Sequence, residues 1–424
     1  MQEDFLHHVW KFQKFSKTDL KTTDGALVTI VKQGEYNHHS GPDFFTAQIK
    51  IGTQLWAGNV EIHLKSSDWY AHRHEEDAAY DNVILHVVWE HDTDVFQKDN
   101  KPLPTLVLKD RVFPEVFQAY KNLFSKTKKW IPCENDFASI DDFVLQNWME
   151  RLYVERLESK TEMVFQLLEK SKNDWEAVLF QLLAKNFGLK VNGEAFLRMA
   201  ASFDFSVVRK IGNKQEDLEA LFFGQAFLLE DEIDVVYYKE LQNRYAYLRT
   251  KFRMQNTDTL PVQFFRLRPD NFPTIRLAQL AALYAKEQQL FSKIIAIKSK
   301  EGFRELFDVE TAPFWDTNYL FTTESKFRKK KISNAFLDLL LINTVALVKF
   351  CYVKSLGNDA GEEIMTLLST LPKEENSIIK NFNKLRKNTA ENALQSQALL
   401  ELKNNYCANY RCLSCAIGNQ LLIK

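Results

Sequence analysis

Residues Gly34 to Asp68 read GEYNHHSGPDFFTAQIKIGTQLWAGNVEIHLKSSD, and the first part of the chain is organised around this stretch. Phe44 to Ile51 and Leu55 to Leu64 are strand-like, and Gly52-Thr53-Gln54 is short enough to join them as a hairpin. Side chains alternate faces along a strand, so Glu61, His63 and Lys65 share one face while Val60, Ile62 and Leu64 point to the core. Asp43 opens the first strand and can meet Glu61 across the pair. Two carboxylates on adjacent strands make a hard-oxygen site suited to Mg²⁺ or Mn²⁺, and a basic side chain beside them can orient an attacking water.

Working outward, Asp4 to Phe15 carries Phe5, Leu6, Val9, Trp10 and Phe12 at helical spacing. Ala26 to Lys32, Val83 to Glu90 and, more weakly, Thr105 to Lys109 read as strands, and the charged stretch Arg73 to Asp81 reads as a helix. The order is helix, three strands, helix, strand. After Phe113-Pro114 long helical patterns take over at Asp141 to Lys170, Trp175 to Leu189, Gln215 to Leu229, Ile275 to Ala285, Phe291 to Lys298, Ala335 to Val353 and Glu391 to Asn404. The expected fold is mixed α/β: a mixed-sheet domain flanked by helices over residues 1–112, then a larger, irregular all-α domain over 113–424.

Composition agrees with two differently built regions. Of 424 residues, 45% are hydrophobic and 26% charged, which excludes a disordered or low-complexity chain. Net charge is −1 overall, but the first 110 residues carry −6 and the remainder +5. All nine histidines lie between His7 and His91, so the first region collects groups that titrate and bind metals. Met1 to Trp10 lacks the character of a secretory leader, and Ala335 to Val353 is interrupted by Asp338, Asn343 and Lys349. A cytoplasmic protein without membrane contact, with reduced cysteines, is expected.

Pro42-Asp43, seventeen intervening residues and Glu61-Ile62-His63, within that element order, resemble the PD-(D/E)XK nuclease superfamily. The resemblance implies Asp43, Glu61 and the Ile62 carbonyl as metal ligands. It puts His63 where the superfamily places its catalytic lysine, a departure that Lys65, one pleat along, can offset. It also marks Glu3 as a carboxylate on the first helix, and Glu76 with Tyr80 as the counterpart of a Gln-x-x-x-Tyr on the second. Asn37, His38, His72 and His74 are candidates for substrate contact, with solvated loop or core positions as the alternatives. The whole chain is similar to a bacterial family designated domain of unknown function 2851, on GPDF at Gly41 to Phe44, VEIHLKSSDW at Val60 to Trp69, VILHVVWEHD at Val83 to Asp92, RPDNFPTIRLAQLA at Arg268 to Ala281 and CLSCAIG at Cys412 to Gly418.

Two further features lie outside that site. Cys407, Cys412 and Cys415 stand at C-x4-C-x2-C spacing, and Cys133 can complete a four-thiolate site for Zn²⁺ or an iron–sulfur cluster; buried packing is the alternative. Lys326, Arg328, Lys329, Lys330 and Lys331 form the densest basic run, suited to phosphate contact or to a solvated face. The expectation is a divalent-metal-dependent nuclease acting on nucleic acid, or a non-catalytic nucleic-acid-binding or assembly protein with the same fold, its helical domain available to a protein partner.

Overall fold

The computed structural model describes residues 1–37, 39–125, 129–255, 258–358 and 361–423. The fold is mixed α/β, and the chain divides into two compact units, Met1–Trp148 with Leu402–Lys424, and Met149–Glu401. The change from strands to helices falls between β-strand Thr105–Val107 and helix Pro114–Leu123, whereas compact packing of the first unit continues to Trp148 and takes up the last 23 residues as well.

In the first unit, α1 (Glu3–Lys11) opens with Glu3 and Asp4 and ends with Lys11, charges that complement the helix dipole, and it buries Phe5, Leu6, Val9 and Trp10. The strands are β1 (Val28–Lys32), β2 (Glu35–Tyr36), β3 (Phe44–Ile51), β4 (Gln54–Lys65), β5 (Val83–Glu90) and β6 (Thr105–Val107). They form one sheet of order β1-β3-β4-β5-β6, with β2 paired to β3. The β1, β3 and β4 neighbours run antiparallel, whereas β4, β5 and β6 run parallel. Gly52 turns the β3–β4 hairpin with φ of 61°, a conformation that costs glycine little.

The expected helix over Arg73 to Asp81 is not formed. A single turn, α2 (Asp68–Ala71), precedes it, and Arg73 adopts φ of 60°, which ends the helical path. A 3₁₀ turn, Ala78–Tyr80, follows, begun by Asp77, whose carboxylate accepts the Ala79 N–H. Glu76 and Tyr80 therefore share no helix face. Trp69 packs instead with Val83, Val95, Leu103 and Tyr80 into a small cluster beneath this segment.

The sheet is tight where β4 meets β5. A Cβ built on Gly58 would stand 2.4 Å from Ile84 Cγ2 and 2.6 Å from the Asn82 carbonyl oxygen. Because one of those atoms is backbone, Gly58→Ala is expected to lower stability by about 1–3 kcal/mol, read as a shift of the urea midpoint without a change of slope.

The first unit also contains α3 (Pro114–Leu123) and the terminal helix Ala416–Ile423. The second unit is helical apart from a two-stranded pair, Asn318–Leu320 with Thr323–Glu324. Its most apolar helix, Asn334–Ser355, is long enough to cross a membrane, but 78% of its most apolar 18-residue window is buried. Its polar interruptions are paired: Asp338 with Lys300 at 2.9 Å, and Lys349 Nζ with Glu363 at 2.6 Å and the Ile297 carbonyl at 2.7 Å. It is a core helix, as those interruptions imply.

Candidate metal centre

The centre is built from a register shift. From the hairpin outward, Ile51 faces Gln54, Lys50 faces Leu55 and Ala47 faces Gly58; continued without change, that pairing would set Asp43 opposite Ile62. The register slips between Ala47 and Phe44, so that Phe44 faces Val60 and Asp43 stands opposite Glu61. Thr46 takes up the extra residue with φ of 56°, its N–H donating to Asn59 Oδ1 at 3.3 Å. Such a bulge re-aims the residues beyond it. Burial follows the new phase: Ile49, Ala47 and Phe44 are fully buried, while Phe45 turns outward.

Asp43 and Glu61 then interlock. The Asp43 N–H donates to Glu61 Oε2 at 3.1 Å, and the Ile62 N–H donates to Asp43 Oδ2 at 2.9 Å. Asn37 holds the preceding loop by donating from Nδ2 to the carbonyls of His39, Ser40 and Pro42. Asn37 thus positions Asp43 through the loop. His38 lies outside the described residues.

Around these carboxylates the histidines gather into two donor groups, Glu3–His7–Asp43 and His63–His72–His74, within each of which one potential ligand atom per residue lies within 4.8 Å of the others. His7 Nε2 is 3.2 Å from Asp43 Oδ2 and 3.7 Å from Glu3 Oε1. Glu61 Oε1 links to the second group, at 3.3 Å from His74 Nε2 and 3.5 Å from His63 Nε2. Within that group His63 Nε2 is 3.1 Å from His72 Nδ1, and His63 Nδ1 is 2.9 Å from His86 Nε2. With His63 Nδ1 donating to His86, its Nε2 lone pair faces Glu61, His72 and His74, the orientation that a neighbouring acceptor gives a ligating imidazole.

Burial sets the electrostatics. Glu61 is 4% exposed, and desolvation raises its carboxyl to about 7, with the Asp43 charge adding and His74 opposing. Burial pushes the His63 and His86 imidazoles well below their ordinary range, reinforced by the other histidines, so both are neutral. His7 is the contrary case. Burial works against its charge, but the Asp43 and Glu3 carboxylates outweigh it and raise the group to about 10. His7 Nε2 and His74 Nε2 are buried without an aligned hydrogen-bond partner, although each lies close to a carboxylate oxygen. Charged His7 is answered by Asp43 and Glu3, whereas the unsatisfied His74 nitrogen beside Glu61 fits a cation better than it fits a packed core.

The remaining sequence candidates divide. Tyr80 stacks on His74 with centroids 3.7 Å apart, which places it at the centre through a route other than a shared helix face. Lys65 is exposed at the end of β4, where its charge acts on Asp92. Lys329 and Lys330 lie in the second unit and are already engaged. Lys329 Nζ pairs with Asp316 at 2.9 Å and Glu310 at 3.4 Å; Lys330 is 3% exposed, its Nζ bonded to the carbonyls of Asp316 and Arg328.

His7 and Tyr36 are members of the centre that reading the sequence left out; the Tyr36 hydroxyl is 3.4 Å from His7 Nδ1. The signal for His7 was its place four residues after Glu3, on the same face of α1.

Cys133, Cys407, Cys412 and Cys415 are all buried in the first unit, and none is in a disulfide. Burial, then the charge of neighbouring cysteines, raises the Cys133 and Cys407 thiols, and raises Cys412 to about 12. Cys351, in the second unit, is a core residue with no exposed surface.

Residues 3–377 match the model of a family described as "Protein of unknown function (DUF2851)". The chain belongs to this family. The match takes in both donor groups and Cys133, whereas Cys407, Cys412 and Cys415 lie beyond it. No curated protein and no solved structure matches the chain.

Proposed function

We propose that this member of the family is a divalent-metal-dependent phosphodiesterase acting on nucleic acid. The observation that carries the reading is the interlocking of Asp43 and Glu61, which are 18 residues apart, with Glu61 Oε1 beside the imidazoles of His63 and His74. A helix precedes the antiparallel strands and a parallel strand follows them, although only a single helical turn, Asp68–Ala71, and a 3₁₀ turn stand where the nuclease resemblance has its second helix; Glu3 on α1 adds a third carboxylate.

Glu3 with Asp43, and Glu61 beside His63, His72 and His74, are the two neighbouring sets of groups either of which would hold the ion. Carboxylates alone suit Mg²⁺, but imidazole donors favour Mn²⁺ or Zn²⁺, so Mn²⁺ is the better probe. When bound, the ion supplies Lewis-acid activation of a phosphoryl oxygen and of water. Asp43 and Glu61 fix its place, each held by a backbone N–H of the other strand. His7, charged beside Asp43, is placed to offset negative charge that a phosphate brings. His72 is the exposed imidazole of the group and the one open to substrate.

A second reading is a nucleic-acid-binding or assembly protein without catalysis. One observation favours it: His63 is 1% exposed and enclosed by His72 and His86, with no permanent charge to steady a phosphorane.

Calorimetric titration of Mn²⁺ into the wild type, Asp43→Ala and Glu61→Ala tests the centre. Saturable binding in the wild type, weakened about 10- to 100-fold or more by each substitution, is expected. Binding that both variants keep unchanged refutes the assignment.

A further inference from the structure

Four of the chain's five cysteines, Cys133, Cys407, Cys412 and Cys415, line one cavity inside the first unit. Its volume is about 10 Å³, room for a single water-sized body. Leu123, Leu402 and Ile417 form much of the remaining wall, and Arg411 lies over the Tyr406 ring at 4.5 Å.

The backbone is wound closely around this cavity. Cys412–Ser414 forms a 3₁₀ turn, the Cys415 N–H donates to the Cys412 carbonyl at 3.2 Å, and the Asn419 N–H donates to the Cys415 carbonyl at 2.8 Å. A Cβ on Gly418 would stand 2.0 Å from the Cys412 carbonyl oxygen, so only glycine permits the approach. Lys403 Nζ donates to the Trp130 carbonyl at 2.7 Å, and Gln420 Oε1 accepts the Asp141 N–H at 3.2 Å. These bonds hold the terminal segment beside Cys133.

Small thiols are common in cores, and Cys351 is such a residue. Packing alone does not explain why cysteines from two distant stretches face one cavity. Soft sulfur ligands in a tetrahedral set of four select Zn²⁺, and a cavity with room for one body suits one ion better than a four-iron cluster.

We propose that Cys133, Cys407, Cys412 and Cys415 hold one Zn²⁺ ion, which fastens residues 402–424 to the segment around Cys133. The site shares no residue with the Asp43–Glu61 centre and stands or falls without it.

The full-length protein tests this directly. About one Zn²⁺ per chain is expected to be released by an organomercurial that titrates thiolates. With Co²⁺ in place of zinc, the thiolate-to-cobalt charge-transfer bands of a tetrahedral site are expected. They should be lost in Cys412→Ser and kept in Cys351→Ser and Glu61→Gln. Removal of the ion should speed proteolysis within residues 402–424 by about tenfold or more, because binding energy to the folded state is then withdrawn. A cobalt-loaded wild type without charge-transfer bands overturns the proposal, and iron with acid-labile sulfide in the purified protein overturns the single zinc ion. Should Cys412→Ser fail to fold, the wild-type cobalt spectrum decides alone.

Discussion

Asp43→Asn and Glu61→Gln are each expected to lower Mn²⁺-dependent cleavage of nucleic acid by at least about 100-fold. Both substitutions keep the size of the side chain and the capacity to accept the strand N–H, at Asp43 Oδ2 from Ile62 and at Glu61 Oε2 from Asp43. What they remove is charge, so a loss of cleavage without a loss of fold isolates the electrostatic role. Single-stranded, duplex and branched substrates assayed across several pH values provide the measurement, with circular dichroism as the control for folding. Wild-type protein that binds Mn²⁺ yet leaves all of them uncut would remove the phosphodiesterase and leave the non-catalytic reading. Equal cleavage by wild type and both variants would locate any activity elsewhere.

Acid is expected to destabilise the first unit well before ordinary carboxylates titrate, and His8 is the residue that isolates the effect. It is 4% exposed, neither ring nitrogen has a hydrogen-bond partner, and burial, with Lys14 and Lys11 adding, lowers its pKa from 6.5 to about 4. The sign follows from linkage. Above 6.5 neither the folded nor the unfolded state binds the proton; between 6.5 and about 4 only the unfolded chain does, so stability falls as pH drops through that window and levels below it. At 1.36 kcal/mol per unit the loss approaches about 3 kcal/mol. His8→Phe should flatten this part of the profile by about that amount and, by removing two unsatisfied polar atoms, raise stability at pH 7. Urea denaturation of both proteins between pH 7.5 and 4 gives the comparison; parallel profiles would show that His8 takes up its proton in the fold.

Glu61 shifts the opposite way, and its effect on stability is opposite in sign. Its folded pKa is raised, so the carboxyl contributes most favourably when protonated, and its stability is lost as pH rises through about 7. A cation bound beside it relieves that cost. Metal added above pH 7 should therefore stabilise the wild type more than Glu61→Gln, as a thermal shift.

Much of the scaffold was legible along the chain. Phe44–Ile51 and Val83–Glu90 form over the expected bounds, and β4 differs from its expected range by one residue at each end, because alternation and turn residues are local properties. Histidine is concentrated before His91, and the two donor groups lie in that same region. The missing helix at Arg73 to Asp81 was not legible: its local pattern suits a helix, but Trp69 and Tyr80 are drawn into a shared cluster that needs a left-handed turn at Arg73. The basic run was legible as charge and, apart from buried Lys330, as an exposed face; what was not legible is that Lys329 and Lys331 are paired with acids that lie up to 23 residues before them.

What the sequence by itself determined was the mixed α/β class, the strand pair carrying Asp43 and Glu61, and the separation of a histidine-bearing region from a helical one. Only the tertiary structure decided that these carboxylates meet. Hairpin spacing alone sets Asp43 opposite Ile62, and it is the bulge at Thr46, stabilised by Asn59 and by burial of Phe44 in place of Phe45, that turns it to Glu61. A period of two fixes which residues share a face only while the register holds, and a bulge costs little enough that the packing of distant residues selects it.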